Sequence, residues 1–383
     1  MTRILAVSLI YIFLSVPQQA FGQKNGNIVD ISDLISDSLS FKSSDGVSEI
    51  YSMKIFEHKG REFLYAFNNS MTGFDVFDLR VREHAYSINL PDIPDLPQFK
   101  AVGFDVTGVH EIYLINSNGN LIMIDSMGRV KDTWEVAKDL PNNTYSVNVS
   151  NQLNNFTVYQ NKVYLPLTHK YEKRQKITLK NKPAMLVYNL ENRELEDGFG
   201  GYPKSTHKKG ALTNQKYEFT TLKLKGQDRI IFSYAKDPEF TMYNTRKNKR
   251  IKRSKAESVF LNDDKVQAQK DQFGNVIQYI HANGHYHNIF WDPTNEYFYR
   301  TVAHHQETEP VKGSARGLTR RPFSIQVMDK NLNLLSEIKV PERAPLEHMK
   351  MSVSREGLLL QICNGNDRNK VDFVLLDMAM LNQ

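Results

Sequence analysis

Imidazoles are the sharpest chemical signal in this chain. Five of its eleven histidines, His281, His285, His287, His304 and His305, fall within one stretch of 25 residues. His285 and His287 are two apart, so in a strand they project from one face, which is a metal-ligand spacing. His304 or His305 follows the next apolar run, and a hairpin would carry it back toward them. Three imidazoles can hold a divalent metal with an open position, and such a site activates water or polarises a substrate. The rival reading is structural. H-x3-H-x-H matches no specific motif, Gly284 signals a turn beside His285, and His304-His305 borders a polar loop that runs to Arg321.

Tyr299 and Arg300 follow in the same region. In the run Tyr297-Phe298-Tyr299-Arg300, Tyr297 and Tyr299 share one strand face and Phe298 and Arg300 take the other. An arginine beside aromatics either stacks on and pairs with a ligand, or ties two parts of a scaffold together. The basic run Arg246 to Lys255 holds seven Lys or Arg in ten residues. Its Arg250 and Arg253 are candidates for phosphate or sulfate groups, bound in a salt-dependent way. The rival is a solvated hairpin whose charges blunt an edge strand. No aromatic interleaves the run, so nucleic acid is not expected, and an anionic glycan or lipid headgroups fit better. No G-x-S-x-G, H-E-x-x-H or P-loop pattern occurs.

The elements that must position these groups are strands. A short phrase keeps returning, in which apolar residues run into an Asp or Asn and then a polar turn. The acidic or amide positions are Asp78, Asp125, Asn189, Asn244, Asp329 and Asp377. A carboxylate or amide there accepts from backbone N–H groups two residues on and closes a tight turn. Around each lies a meander of short strands, and a sheet unit repeated at this period predicts a propeller. Six units are read, over 46–92, 98–140, 150–202, 214–262, 276–342 and 346–383. The expectation is an all-β propeller of six four-stranded antiparallel blades, with seven as the alternative because 85 residues separate Asn244 from Asp329. The last unit shows three strands, and Ser38 to Lys42 is a candidate fourth that would close the ring from the other end of the chain. No helix of normal length is expected, only a turn or two at 30–36 and 262–270.

Arg3, the apolar run Ile4 to Val16 and Ala20-Phe21-Gly22 read as a cleavable export signal over 1–22, leaving 23–383 as one domain. The apolar run is too short to span a bilayer, and no transmembrane segment is expected in the mature chain. The net charge is +6, or +5 once Arg3 is removed. The single cysteine, Cys363, excludes an internal disulfide and reads as a small buried apolar residue. Low cysteine use in an exported chain points to a bacterial envelope, with the protein periplasmic, surface-held or released.

The phrase Tyr286-His287-Asn288-Ile289-Phe290-Trp291-Asp292-Pro293, running on into Glu296-Tyr297-Phe298-Tyr299-Arg300, resembles that of a bacterial family of exported β-propellers catalogued as domain of unknown function 4221. The resemblance extends at pattern level over most of the mature chain. It implies a propeller with no established activity. Many members look like lipoproteins, and the Cys that requires is missing near residue 22 here. The first functional expectation is therefore a non-enzymatic propeller that binds a ligand, protein or anionic glycan through loops at one end of the ring. The alternative is a metal-assisted lyase or hydrolase acting on an anionic glycan at the axis, through His285, His287, Tyr299 and Arg300. A third is an envelope assembly component held by charge.

Overall fold

A computed structural model describes residues 27–43, 50–68, 72–90, 99–139, 145–147, 156–169, 182–204, 219–261, 284–305, 321–342, 344–362 and 370–382. These residues form six sheets, each a blade built on at least three antiparallel strands that follow one another in sequence. Blade 1 contains Ile50–His58, Arg61–Asn68, Gly73–Asp78 and Glu83–Asn89. Blade 2 runs from Ala101–Gly108 to Val130–Trp134, and blade 4 from Phe219–Leu224 to Lys249–Lys255. Blade 5 contains His285–Asp292, Tyr297–Ala303, Phe323–Met328 and Leu334–Val340. The count is six, and each blade falls on one unit of the sequence repeat.

Two blades carry a fifth strand that the repeat does not announce. In blade 3, Tyr145–Val147 pairs with Lys162–His169 beside the equally short Thr157–Tyr159. In blade 5, Asn27–Asp30 adds in parallel to Leu334–Val340. The chain then makes the 3-10 turn Ile31–Asp33, capped by Asp30, and crosses to blade 6. There Ile35–Lys42 pairs with Lys370–Leu376 as the outermost strand, so the two ends of the chain close the ring together. The first strand of each blade lies innermost, and at every seam but that between blades 3 and 4 it lies against the first strand of the next.

The core is six cores, one per seam. Phe74 and Val76 of blade 1 meet Phe104 and Val106 of blade 2. Phe199 of blade 3 meets Phe219 and Phe232 of blade 4. Ile325 and Val327 of blade 5 meet Leu358 and Leu360 of blade 6, with Ile31 and Leu34 sealing the join. Leu39 and Phe41 of the closing strand pack on Leu64 and Phe77 of blade 1. Each blade is thus apolar on both faces, and stacking its neighbours is what removes that surface from water.

All six repeat positions cap the turn after a third strand. Oδ1 of Asp78 accepts from the Arg80 amide at 2.9 Å, and that of Asp125 from Met127 at 2.9 Å. Asn189, Asn244, Asp329 and Asp377 do the same for Glu191, Lys247, Asn331 and Ala379. Several of these turns dock on the outer strand of the preceding blade. Arg193 reaches Asp132 at 2.7 Å, and Arg82 reaches Asp37 at 2.7 Å.

Candidate functional site

The six-fold stack makes the two ends of the ring unlike. First-to-second and third-to-fourth strand turns emerge at one end and span two to five residues in blades 1 to 5. Second-to-third and inter-blade connections emerge at the other, and reach 29 residues between blades 4 and 5. The innermost strands begin at this second end, and three neighbouring ones begin with titratable side chains. Blade 5 supplies His285 and His287, blade 6 supplies Glu347 and Lys350, and blade 1 supplies Tyr51. Glu347 and Lys350 pair at 2.8 Å, with side chains 10% and 8% exposed. Burial pushes the Tyr51 hydroxyl up to about 12.

His285 and His287 stand together, with ring centroids 5.6 Å apart. A bulge lies between Tyr286 and Ile289, and the His287 carbonyl accepts from Thr220 Oγ1 of blade 4 at 3.0 Å. His304 does not join them. His285 pairs with Ala303, so the residue after Ala303 projects from the opposite face of the sheet. There the His304 ring stacks on Phe260 at 4.7 Å, and its Nε2 shares a hydrogen bond with Ser324 Oγ at 2.9 Å. Burial, with Arg321 and Lys339 adding to it, holds this imidazole down at about 4. Among the described residues no group of three or more His, Cys, Asp or Glu side chains is arranged to hold a metal. His281 and most of the loop from 304 to 321 lie outside the described residues, as do 1–22, 171–181, 205–209, 262–270 and Cys363.

Tyr299 and Arg300 are turned into the scaffold, each fully buried. Their alternation puts Tyr299 toward blade 6 and Arg300 toward blade 4. The Tyr299 hydroxyl donates to Asp292 Oδ2 at 2.7 Å, and burial raises its pKa far above that of a free phenol. Asp292 Oδ1 caps its own turn by accepting from Thr294 and Asn295. Arg300 lies between the Phe240 ring, 4.0 Å away in blade 4, and the Tyr286 ring, 3.6 Å away in blade 5. Its Nη2 donates to the Ala256 carbonyl at 2.6 Å, and its Nε donates to Gln326 Oε1 at 2.9 Å. Burial lowers its pKa to about 10, so the guanidinium stays charged at neutral pH. This geometry is that of a tie between blades.

Below Arg300 runs a second buried polar chain that the sequence reading missed. Glu337 accepts from Ser258 Oγ at 2.6 Å and from Ser324 Oγ at 2.5 Å, which links the segment leaving blade 4 to two strands of blade 5. Nothing local marks it, because its members are 13 to 79 residues apart.

Arg250 and Arg253 sit on the outer strand of blade 4, Arg250 just past the third-to-fourth turn and Arg253 nearer the middle of the strand. Arg253 pairs with Glu239 at 2.6 Å, while Arg250 is exposed.

Six antiparallel blades around an axis, closed by an N-terminal strand, define a six-bladed β-propeller. Comparison with known proteins carries the assignment to a family. The chain belongs to the family described as Domain of unknown function (DUF4221), matched over residues 31–339. A crystal structure of a member of that family from Bacteroides vulgatus is similar at a TM-score of 0.71 and 17% identity, over 89% of this chain and 96% of that one. A Bacteroides fragilis protein described as a "putative exported protein" is similar at 0.54 and 10% identity, over 92% and 99%. No curated protein matches. At these identities the solved structures speak to the fold alone. Among the described residues no helix is long and apolar enough to cross a membrane.

Proposed function

We propose that this chain is an exported, non-enzymatic binding propeller. It engages its partner at the end of the ring from which the second-to-third and inter-blade connections leave. The observation that carries this reading is the asymmetry of the ends. The tight turns are spent on Asx caps and on docking against the preceding blade, so their sequences are tied to the fold. At the opposite end only part of the chain carries such a duty, as where Arg300 and Glu337 hold Ala256 and Ser258, and a rigid scaffold places its recognition residues where the scaffold does not constrain them. There the innermost strands of blades 5, 6 and 1 present the arc of His285, His287, Glu347, Lys350 and Tyr51. Export is supported by the leader-like residues 1–22 and by the description of the Bacteroides fragilis relative.

The test is site-resolved photocrosslinking in cells. A photoreactive phenylalanine is placed at Asn68 or Lys370, on the connection-rich end, and at Lys59 or Asn192, on the turn end. Discrete adducts from the first pair and none from the second are expected. Adducts from the turn end alone would refute the assignment of the binding end.

A further inference from the structure

We propose that the outer edge of blade 4 is a docking track for a linear acidic polysaccharide, separate from the binding end of the ring. Lys249–Lys255 is the last strand of its sheet, and among the described residues its outward backbone edge pairs with no further strand. Five of its seven residues are basic, and Lys249, Arg250, Arg253 and Lys255 are exposed. The outermost strands of the other blades hold one Lys or Arg at most: Glu83–Asn89, Val130–Trp134, Glu194–Phe199, Asn27–Asp30 and Ile35–Lys42. Blunting an edge against self-association is a need shared by all six blades, so it does not account for a charge row on one of them.

The row is only partly neutralised. Arg246 meets Asp228 at 2.8 Å, Arg253 meets Glu239 at 2.6 Å, and Lys255 meets Glu257. Seven basic side chains from Arg246 to Lys255, against these three carboxylates and Asp237, whose charge acts on Lys255 and Glu239, leave an excess of three positive charges, and Lys204 adds to the field at Glu239. A bulge shapes the row. Arg250 pairs with Tyr243 and Arg253 with Thr241, while Ile251 is the extra residue between. Tyr243 and Thr241 share a face of the sheet, so the bulge brings Arg250 and Arg253 onto that face as well. Without it, residues three apart would point oppositely. On the other face Lys252 donates to the Asn331 carbonyl of blade 5 at 2.5 Å, which anchors the strand.

A linear row of cations suits a chain of regularly spaced carboxylates or sulfates. No aromatic interrupts it, so the base-stacking platform of single-stranded nucleic-acid sites is missing. Ile251 is the one exposed large apolar side chain on the strand, too little to insert into a lipid surface.

The experiment uses residues 23–383, with polygalacturonate and dextran sulfate as acidic probes. Neutral dextran is the control, and phosphatidylglycerol vesicles are a competing anionic surface. Binding is measured between 50 and 300 mM salt. The wild type is expected to bind one or both acidic polymers with a steep salt dependence. The double variant Lys249→Glu/Arg250→Glu should bind at least tenfold more weakly at 50 mM salt, with a log–log salt slope shallower by about two. Lys42→Glu/Arg80→Glu carries the same change in net charge at exposed sites elsewhere and should lose less than twofold. Equal loss in both double variants would reduce the effect to net charge and overturn the proposal. So would no binding of either polymer, or binding to vesicles alone. Both variants should keep the wild-type melting temperature, so a loss cannot be ascribed to unfolding.

Discussion

Removing Arg300 should cost stability, because nothing about its surroundings resembles a ligand site. Arg300→Ala takes a fully buried side chain out from between Phe240 and Tyr286 and strips the Ala256 carbonyl and Gln326 of a charged donor. A cation stacked on aromatics in a dry site is worth up to about 2 kcal/mol per ring. Hydrogen bonds to a charged group add about 1.5–3 kcal/mol each. Against these gains stands the cost of desolvating the guanidinium, which the substitution relieves. Breaking comparable buried arrangements by removing one partner costs roughly 3–5 kcal/mol. With an unfolding entropy of about 2.1 cal/mol/K per residue, 1 kcal/mol moves the midpoint of a chain this long by about 1.3 °C. Arg300→Ala should therefore melt about 4–7 °C below the wild type. Arg300→Lys should recover little, because an ammonium cannot stack as a plane and donate in two directions. The assay is calorimetry of residues 23–383 at pH 7. A shift under about 1 °C for Arg300→Ala would refute the inter-blade tie.

Three further outcomes follow from the fold. Deleting residues 23–43 removes the closing strand and with it the buried Ile31, Leu34, Leu39 and Phe41, roughly 6–12 kcal/mol of apolar burial at about 1.5–3 kcal/mol each. That is comparable with a whole domain's stability, so the deleted chain should be unfolded or aggregated by circular dichroism and gel filtration, and an unchanged melting temperature would contradict it. Gly128 and Gly60 both have φ +76°, but a Cβ on Gly128 would collide with the Asn89 carbonyl of blade 1, whereas one on Gly60 meets nothing within 4 Å. Both alanine variants pay about 1–2 kcal/mol for the left-handed backbone, and Gly128→Ala should lose measurably more by urea unfolding. Lys223 is 7% exposed, with its ammonium 3.8 Å from the Tyr159 ring, and burial lowers its pKa to about 8. The folded state thus binds this proton less tightly than the unfolded chain. Its linked stability is present above about pH 10.5 and is lost as pH falls through about 8, an order of 3 kcal/mol in all. The difference in unfolding free energy between wild type and Lys223→Met should rise from pH 8 to 10, and a flat difference would count against the shift.

The fold was legible because its punctuation is local. An Asp or Asn accepting from the amide two residues on needs no distant partner, so Asp78, Asn189 and Asp329 announce their turns in sequence. The closing strand was legible for a related reason, since unit six counted only three strands and Ser38 to Lys42 alternates. The short parallel strand Asn27–Asp30 was not, because four residues show no period and its partner lies some 300 residues away. The site residues were less legible where their meaning is non-local. Arg300 beside Tyr299 suits a ligand and a tie equally well until Phe240 and Ala256 are seen around it. His304 looks like a third imidazole on spacing alone. The pairing of His285 with Ala303, a matter of register, sends it to the other face.

The seams explain why the two ends of the ring diverge. Arg193 is held by Asp132 and by the Thr133 carbonyl of the preceding blade, and lies 5.6 Å over its Trp134 ring. Arg355 of blade 6 reaches Glu57 at 2.6 Å and the Gly60 carbonyl at 3.2 Å, while its own amide donates to Glu62 of blade 1. These contacts come from turns of two to five residues, and a change there disturbs two blades at once. Connections at the opposite end join strands already fixed by the seams. Their length adds only a slowly growing loop entropy, about 0.6 kcal/mol per doubling, so insertions there cost the fold little. A propeller whose tight turns are docked blade to blade at one end is thereby freer to vary the connections at the other. For that reason variants at the connection-rich end should separate binding from stability, whereas variants in the tight turns should not.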